Sequence, residues 1–258
     1  MLSAMNKSNQ QVVAWETAKE DGPFACPECH REVLVKKGDA VVHHFAHVSQ
    51  TNCKYGSGES PVHWRAKLQI YESLRKFPNV SKLMVERYLK EVRPDVSFRL
   101  RGKYVAIEIQ RSTLSRSKII QRSKFYTDKK IHVLWMPLYA EKMSFYFEEM
   151  QGNIEERRYF PSDWENHLHD MYYDTVYYWL QGVTIRLIHF NECIVGKAYR
   201  RRYDYRIGEW KDGYPSKRYR TPSFVEDVNI TDLDAVMRAP WTSGSLSMPA
   251  TRLWCRRP

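Results

Sequence analysis

No apolar run in this sequence approaches the length of a membrane span, and the mean hydropathy is −0.62. The opening residues, Met1 to Gln11, are polar and lack the apolar stretch of a secretory signal, so a cytoplasmic protein is expected. Internal repeats and low-complexity tracts are missing too, which excludes a solenoid and a compositionally disordered chain. Only 5 cysteines occur among 258 residues, an odd number too sparse for a disulfide framework. Acidic residues are the minority, 30 Asp and Glu against 41 Lys and Arg, a net charge of +11. Apolar content is ample: 43% hydrophobic and 14% aromatic residues suffice for the core of one large domain or two modest ones.

The positive charge is concentrated. Residues 1–140 hold 24 Lys and Arg against 13 Asp and Glu, whereas residues 141–199 hold 5 against 10. Affinity for a polyanion, if present, belongs to the first part.

Two of the cysteines, Cys26 and Cys29, are three apart, and His44, His47 and Cys53 follow after a hairpin-length gap, giving C-x2-C-x14-H-x2-H-x5-C. That spacing closes a tetrahedral zinc site. Val33-Leu34-Val35 and Ala40-Val41-Val42 read as a short hairpin joining the halves. We assign Zn2+ to Cys26, Cys29, His47 and Cys53, with His44 as the alternate fourth ligand. A closed set of four is structural, because catalysis needs an open position.

Ser60 is a good N-cap and Pro61 suits the first helical position; Trp64, Leu68, Tyr71 and Leu74 then recur at helical spacing, predicting a helix that ends near Phe77-Pro78. His63 and Lys67 share a face, with Glu59 at its N-terminal end, opposite part of the apolar stripe. Next come two alternating segments, Asp95 to Leu100 and Lys103 to Gln110, flanking Arg101-Gly102. A two-residue turn there pairs Leu100 with Lys103 and, counting outward, sets Asp95 against Glu108. Two like charges opposed on a strand pair are destabilising unless something neutralises them, and Mg2+ does so. A basic helix over Ser112 to Lys130 and an apolar strand, Ile131 to Met136, complete a crossover, hence an α/β sheet.

Cys26-Pro27-x-Cys29, His44-Phe45-Ala46-His47, Glu59-Ser60-x-x-His63-x-x-x-Lys67, Arg93-Pro94-Asp95-Val96, Ala106-Ile107-Glu108-Ile109-Gln110-x-Ser112, Arg122-x-x-x-Tyr126 and Val133-Leu134-Trp135 occur in one order. Together, over roughly residues 23–138, they resemble the competence protein CoiA family. The resemblance implies a PD-(D/E)XK nuclease core: a restriction-endonuclease-like mixed sheet flanked by helices, behind a small zinc knuckle. It implies a deoxyribonuclease dependent on Mg2+ or Mn2+, with Asp95 and Glu108 holding the metal and Glu59 the acidic residue of the preceding helix. Gln110 stands where lysine is more usual, so it can orient water but brings no charge; His63 or Lys67 would supply the proton donor or cation. Lys67, Arg111, Arg116, Lys118, Arg122 and Tyr126 are the expected DNA contacts, to single or double strands with little sequence specificity. The expected role is DNA uptake or recombination. A non-catalytic DNA-binding adaptor on the same fold and a nuclease effector in phage defence are the alternatives.

By composition the chain divides into a polar segment (1–22), the zinc knuckle (23–56), the nuclease-like core (57–140) and an α+β C-terminal region (141–258), a possible surface for a protein partner. There Asp163 to Gln181 places Trp164, Tyr172, Tyr173, Tyr177, Tyr178 and Trp179 at helical spacing, as core or interface. Tyr199 to Arg206 interleaves bases and aromatics, as single-strand binders and solvated strand pairs both do. His167, His169, Cys193 and Cys255 show no ligand spacing. Residues from Thr242 on are expected to be loose.

Overall fold

Alternation makes the first sheet. In β4 (Glu32–Lys36) Val33 and Val35 point inward while their neighbours face water, and Phe24 and Phe45 pack on them, ring centroids 5.2 Å apart. This computed structural model describes the chain except for residues 50, 56–57, 112–113, 140–158, 193, 196–201, 205, 212–217 and 244–245. Strands β1 (Ser3–Met5), β2 (Gln11–Val13), β3 (Phe24–Ala25), β4 and β5 (His44–His47) form one antiparallel sheet in the order β2-β1-β3-β4-β5. The polar N-terminal residues thus supply two of its strands. The return strand is His44–His47 and not Ala40–Val42: pairing Val35 with Phe45 buries an aromatic ring, whereas Val41 stays exposed in the loop.

Helix α1 (Pro61–Leu74) starts as expected, Ser60 accepting a hydrogen bond from the His63 N–H at 3.3 Å. Its buried face carries Ala66, Ile70, Tyr71 and Leu74, but also Lys67, which is fully excluded from water. The expectation that Lys67 lies on a polar face opposite the apolar stripe is therefore corrected.

The main sheet is mixed. Strand β6 (Ser81–Val85) pairs antiparallel with β7 (Val96–Leu100), and β7 with β8 (Lys103–Gln110), in the register Val96↔Ile107 to Leu100↔Lys103. Arg101 and Gly102 both take positive φ, +46° and +74°, the conformation a two-residue hairpin turn requires. Helix α2 (Arg116–Asp128) then crosses over to β9 (Ile131–Pro137), parallel to β8.

Helix α3 (Asp163–Met171) begins with a reciprocal Ser162–Glu165 capping box and leads into β10 (Val176–Gln181). The helical spacing therefore stops at Met171, and Tyr177 to Trp179 are strand residues with buried rings. β10, β11 (Thr184–Phe190) and β12 (Pro222–Asn229) form a second antiparallel sheet.

The chain end is ordered, contrary to expectation. β13 (Asp234–Arg238) and β14 (Thr251–Cys255) extend the main sheet to β13-β14-β9-β8-β7-β6, with Leu253 beside Val133. Leu253, Trp254 and Cys255 are completely buried. The result is a mixed sheet flanked by helices, in the α/β class expected, whose core joins α1, both faces of the hairpin, Trp135 and Trp254. Cys193, Ser112 and, in the basic-aromatic run, Tyr199, Arg200, Arg201 and Tyr205 lie outside the described residues.

Candidate functional site

The hairpin register ends at Val96↔Ile107, and Asp95 lies just outside it. Asp95 N–H donates to Ile107 O at 3.0 Å, and the Ile109 N–H donates to Asp95 Oδ2 at 2.7 Å. Asp95 is thus bulged against Ile107, so the direct pairing with Glu108 expected from the turn is not formed; both carboxylates are nevertheless buried near one end of the strand pair.

Helix α1 brings two side chains, one turn apart, onto Asp95. Lys67 Nζ lies 3.0 Å from Asp95 Oδ1, 2.8 Å from Glu59 Oε2 and 3.0 Å from Glu86 Oε1. His63 Nε2 lies 3.2 Å from Asp95 Oδ2. Burial alone would favour neutral forms, yet the surrounding opposite charges win: Lys67 is held well above its ordinary value, while Lys67 and His63 hold Asp95 well below the carboxylate range. Arg93 closes the cluster, 3.1 Å from Glu59 Oε1 and stacked 4.2 Å over the Tyr55 ring.

Glu108 is held from the other side by α2. Arg122 donates to Glu108 Oε1 at 2.5 Å, and Tyr126 donates its hydroxyl to the same oxygen. Burial and the Asp95 charge, opposed by Arg122, push Glu108 up to about 7. Mutual repulsion of the two carboxylates is thus built into the site, although they are not directly paired across the strands.

Donor chemistry suits a hard divalent cation. Ligand atoms of Glu59, His63 and Asp95 all lie within 4.8 Å of one another, and carboxylate oxygens are what Mg2+ and Mn2+ select. Glu108 is outside that group, its Oε1 taken by Arg122 and Tyr126. A cation shared between Asp95 and Glu108 would have to take over positions now held by Lys67 and Arg122.

The expected DNA contacts separate into two sets. Arg111 and Lys118 are exposed, and Arg116 pairs with Asp163 at 3.2 Å near the start of α2. Lys67 and Tyr126 are completely buried and serve the carboxylates, and Arg122, its side chain 31% exposed, is directed at Glu108. The cause is charge: buried Asp95 and Glu108 need cations and donors more than the surface does. Gln110 ends β8 half-buried, its carbonyl accepting the Leu138 N–H at 3.0 Å.

Glu86 has no counterpart in the sequence reading. It is fully buried, accepts the Leu2 N–H at 2.7 Å, and takes a positive φ of +50° just past β6. A lone Glu between Val85 and Arg87 carries no periodic signal, so only the fold reveals it.

The second cluster is sulfur-rich. Ligand atoms of Cys26, Cys29, His47 and Cys53 lie within 4.8 Å of one another, with Cys29 Sγ 3.2 Å from His47 Nε2 and Cys26 Sγ 3.9 Å from Cys53 Sγ. Without a cation, burial pushes the Cys26 thiol up to about 12, and a soft divalent metal is what stabilises thiolates there. His44 is turned away: its Nδ1 lies 3.0 Å from Val42 O and its ring packs on Trp64 at 4.9 Å.

Residues 5–56 match the family described as competence protein CoiA, N-terminal domain, and residues 59–157 match competence protein CoiA, nuclease-like domain. Competence protein CoiA of Bacillus subtilis (strain 168) is 31% identical over 120 residues, covering 45% of this chain and 32% of that protein. The aligned part is thus about a third of the relative's length. No solved structure matches.

Proposed function

Through residues 5–157 the chain belongs to the competence protein CoiA family, and from that membership we propose that it is a metal-dependent DNA nuclease of low sequence specificity, serving DNA uptake, recombination or related processing. The observation that supports it best is the burial of Asp95 and Glu108 near one end of the β7–β8 pair, with Lys67 and His63 both on Asp95.

In this reading Asp95 and Glu108, with Glu59, hold Mg2+ or Mn2+. When bound, such an ion polarises the phosphate and makes a nucleophile of water at neutral pH. Lys67 keeps Asp95 ionised and pairs with Glu59. Gln110 orients the attacking water by hydrogen bonding. His63, on Asp95, is the candidate proton donor to the leaving oxygen. Arg111, Arg116 and Lys118 contact backbone phosphates. Cys26, Cys29, His47 and Cys53 hold a closed, structural Zn2+.

The deciding experiment is cleavage of linear and circular DNA, single- and double-stranded, by the purified chain with Mg2+, Mn2+ or EDTA. Metal-dependent cleavage that disappears in Asp95→Asn and Glu108→Gln is expected. A second reading, a DNA-binding protein without turnover, is favoured by the occupation of both carboxylates by Lys67, Arg122 and Tyr126. It predicts retained DNA binding and no cleavage with any metal.

A further inference from the structure

Strand β6 is out of step with β7. Ser81 opposes Arg99 while Met84 opposes Ser97, so one extra residue is fitted between them. Lys82, inside that bulge, takes a φ of +50°, a left-handed conformation that strains a lysine. The bulge sends Lys82 across β7 to β8, where Nζ is 3.0 Å from the Tyr104 hydroxyl. Arg87, beyond the end of β6, donates Nε to Ser97 Oγ at 2.8 Å and a terminal N–H to the Lys82 carbonyl at 2.5 Å.

Lys82, Arg87 and Tyr104, with Lys129 from the C-terminal end of α2, line a cavity of about 260 Å3 that no acidic side chain lines. Among the described residues none of these three cations has a carboxylate partner, although half-buried Arg93 and Arg122 each do. Three like charges that line one cavity, Arg87 half-buried and Lys82 and Lys129 exposed, are unfavourable alone and favourable around an anion. The hydrogen bond from Lys82 and its charge also lower the Tyr104 hydroxyl below its ordinary value, as expected where no acidic group intervenes.

We propose that this cavity is a phosphate subsite that holds one phosphodiester group of a bound polynucleotide. Its extension to a reacting strand rests on the nuclease reading; its affinity for phosphodiester does not. The cations that line the cavity meet backbone phosphate and read no base.

The test is binding of a labelled single-stranded DNA, about 20 nucleotides long, to the full chain in EDTA over a salt series. Each of Lys82→Gln, Arg87→Gln and Lys129→Gln is expected to weaken binding at low salt, and loss of the whole subsite to flatten the plot of log K against log salt by about 0.7. Because Arg87→Gln also removes the bond to Ser97, the double variant Lys82→Gln with Lys129→Gln, folded by circular dichroism, decides the matter. A slope and affinity unchanged in that double variant overturn the proposal. So does an oligonucleotide that fails to bind the wild type, or one that binds independently of all three residues while pyrophosphate binds through them, which would make the cavity a small-anion site. No cleavage in Mg2+ together with flattened slopes ends the nuclease reading and leaves the subsite standing; cleavage together with unchanged slopes does the reverse.

Discussion

Lys67 Nζ lies 3.0 Å from Glu86 Oε1, and both side chains are wholly removed from water. Neither charge is tolerable there without the other, and Lys67 also neutralises Asp95 and Glu59.

Replacing Lys67 by Met leaves a fully buried Glu86 and an abutting Asp95 and Glu59 with only Arg93 and His63 to balance them. A loss of about 3–5 kcal/mol in folding stability is expected, the magnitude for breaking a buried pair by removing one partner. Urea unfolding with unchanged m-value checks it; a loss under about 1 kcal/mol would mean that the carboxylates protonate instead.

The sulfur cluster predicts a metal requirement in the N-terminal sheet. The purified chain is expected to carry one Zn2+, lost in Cys29→Ser and Cys53→Ser, with the β1–β5 sheet opening on chelation. Elemental analysis and hydrogen exchange at Val33 and Val35 read both. Stoichiometric zinc persisting in either variant counts against the four-ligand set.

Acid should weaken the α3 region. His167 is buried with no hydrogen-bond partner at Nε2, and burial, with the Arg116 charge, pulls it down to about 4; burial and the Arg220 and His189 charges pull His169 to about 3. Unfolded histidines titrate near 6.5, so between about pH 6.5 and 4 the unfolded chain binds the protons and stability falls as pH falls. Each contributes up to about 1.4 kcal/mol per pH unit in that window. His63 has the opposite sign, its value raised against burial by Asp95. The comparison that isolates the effect is the melting temperature at pH 7 and pH 5 for wild type and His167→Leu, with a smaller drop expected in the variant.

Truncation before Asp234 removes β13 and β14 and bares the edge of β9, together with the surface under Trp254. Because Leu253, Trp254 and Cys255 are fully buried, the shortened chain is expected to aggregate or to lose cooperative melting. Unaltered cooperative melting would show that the described sheet is stable without them.

The local parts of this architecture were legible in the sequence. Arg101-Gly102 between alternating segments gave the register of β7 and β8 residue by residue from Val96 to Leu100, because it rests on the period of two and on a two-residue turn, whereas the bulge that shifts Asp95 out of direct opposition to Glu108 left no such signal. Non-local parts were hidden. Trp254 sits in a short run whose partner strand is β9, and parallel pairing leaves no turn signal between partners. Lys67 reads as polar because helical spacing says which residues share a face, not that Asp95, Glu59 and Glu86 wait beneath it. Lys82 was unreadable for a related reason: a bulge moves a side chain to the other face without changing composition.

The strand order β14-β9-β8 also has a consequence during synthesis. β9 ends at Pro137 and β14 begins at Thr251, so on the ribosome β9 is finished on the order of a hundred residues before its neighbour exists. At about 5–20 residues per second, that leaves roughly 6–23 s in which the hairpin and its carboxylates can form while one edge of the sheet stays open. A nascent chain in that interval holds the chemistry of the site in an unfinished scaffold, and it is the stage at which a chaperone would find the most to protect.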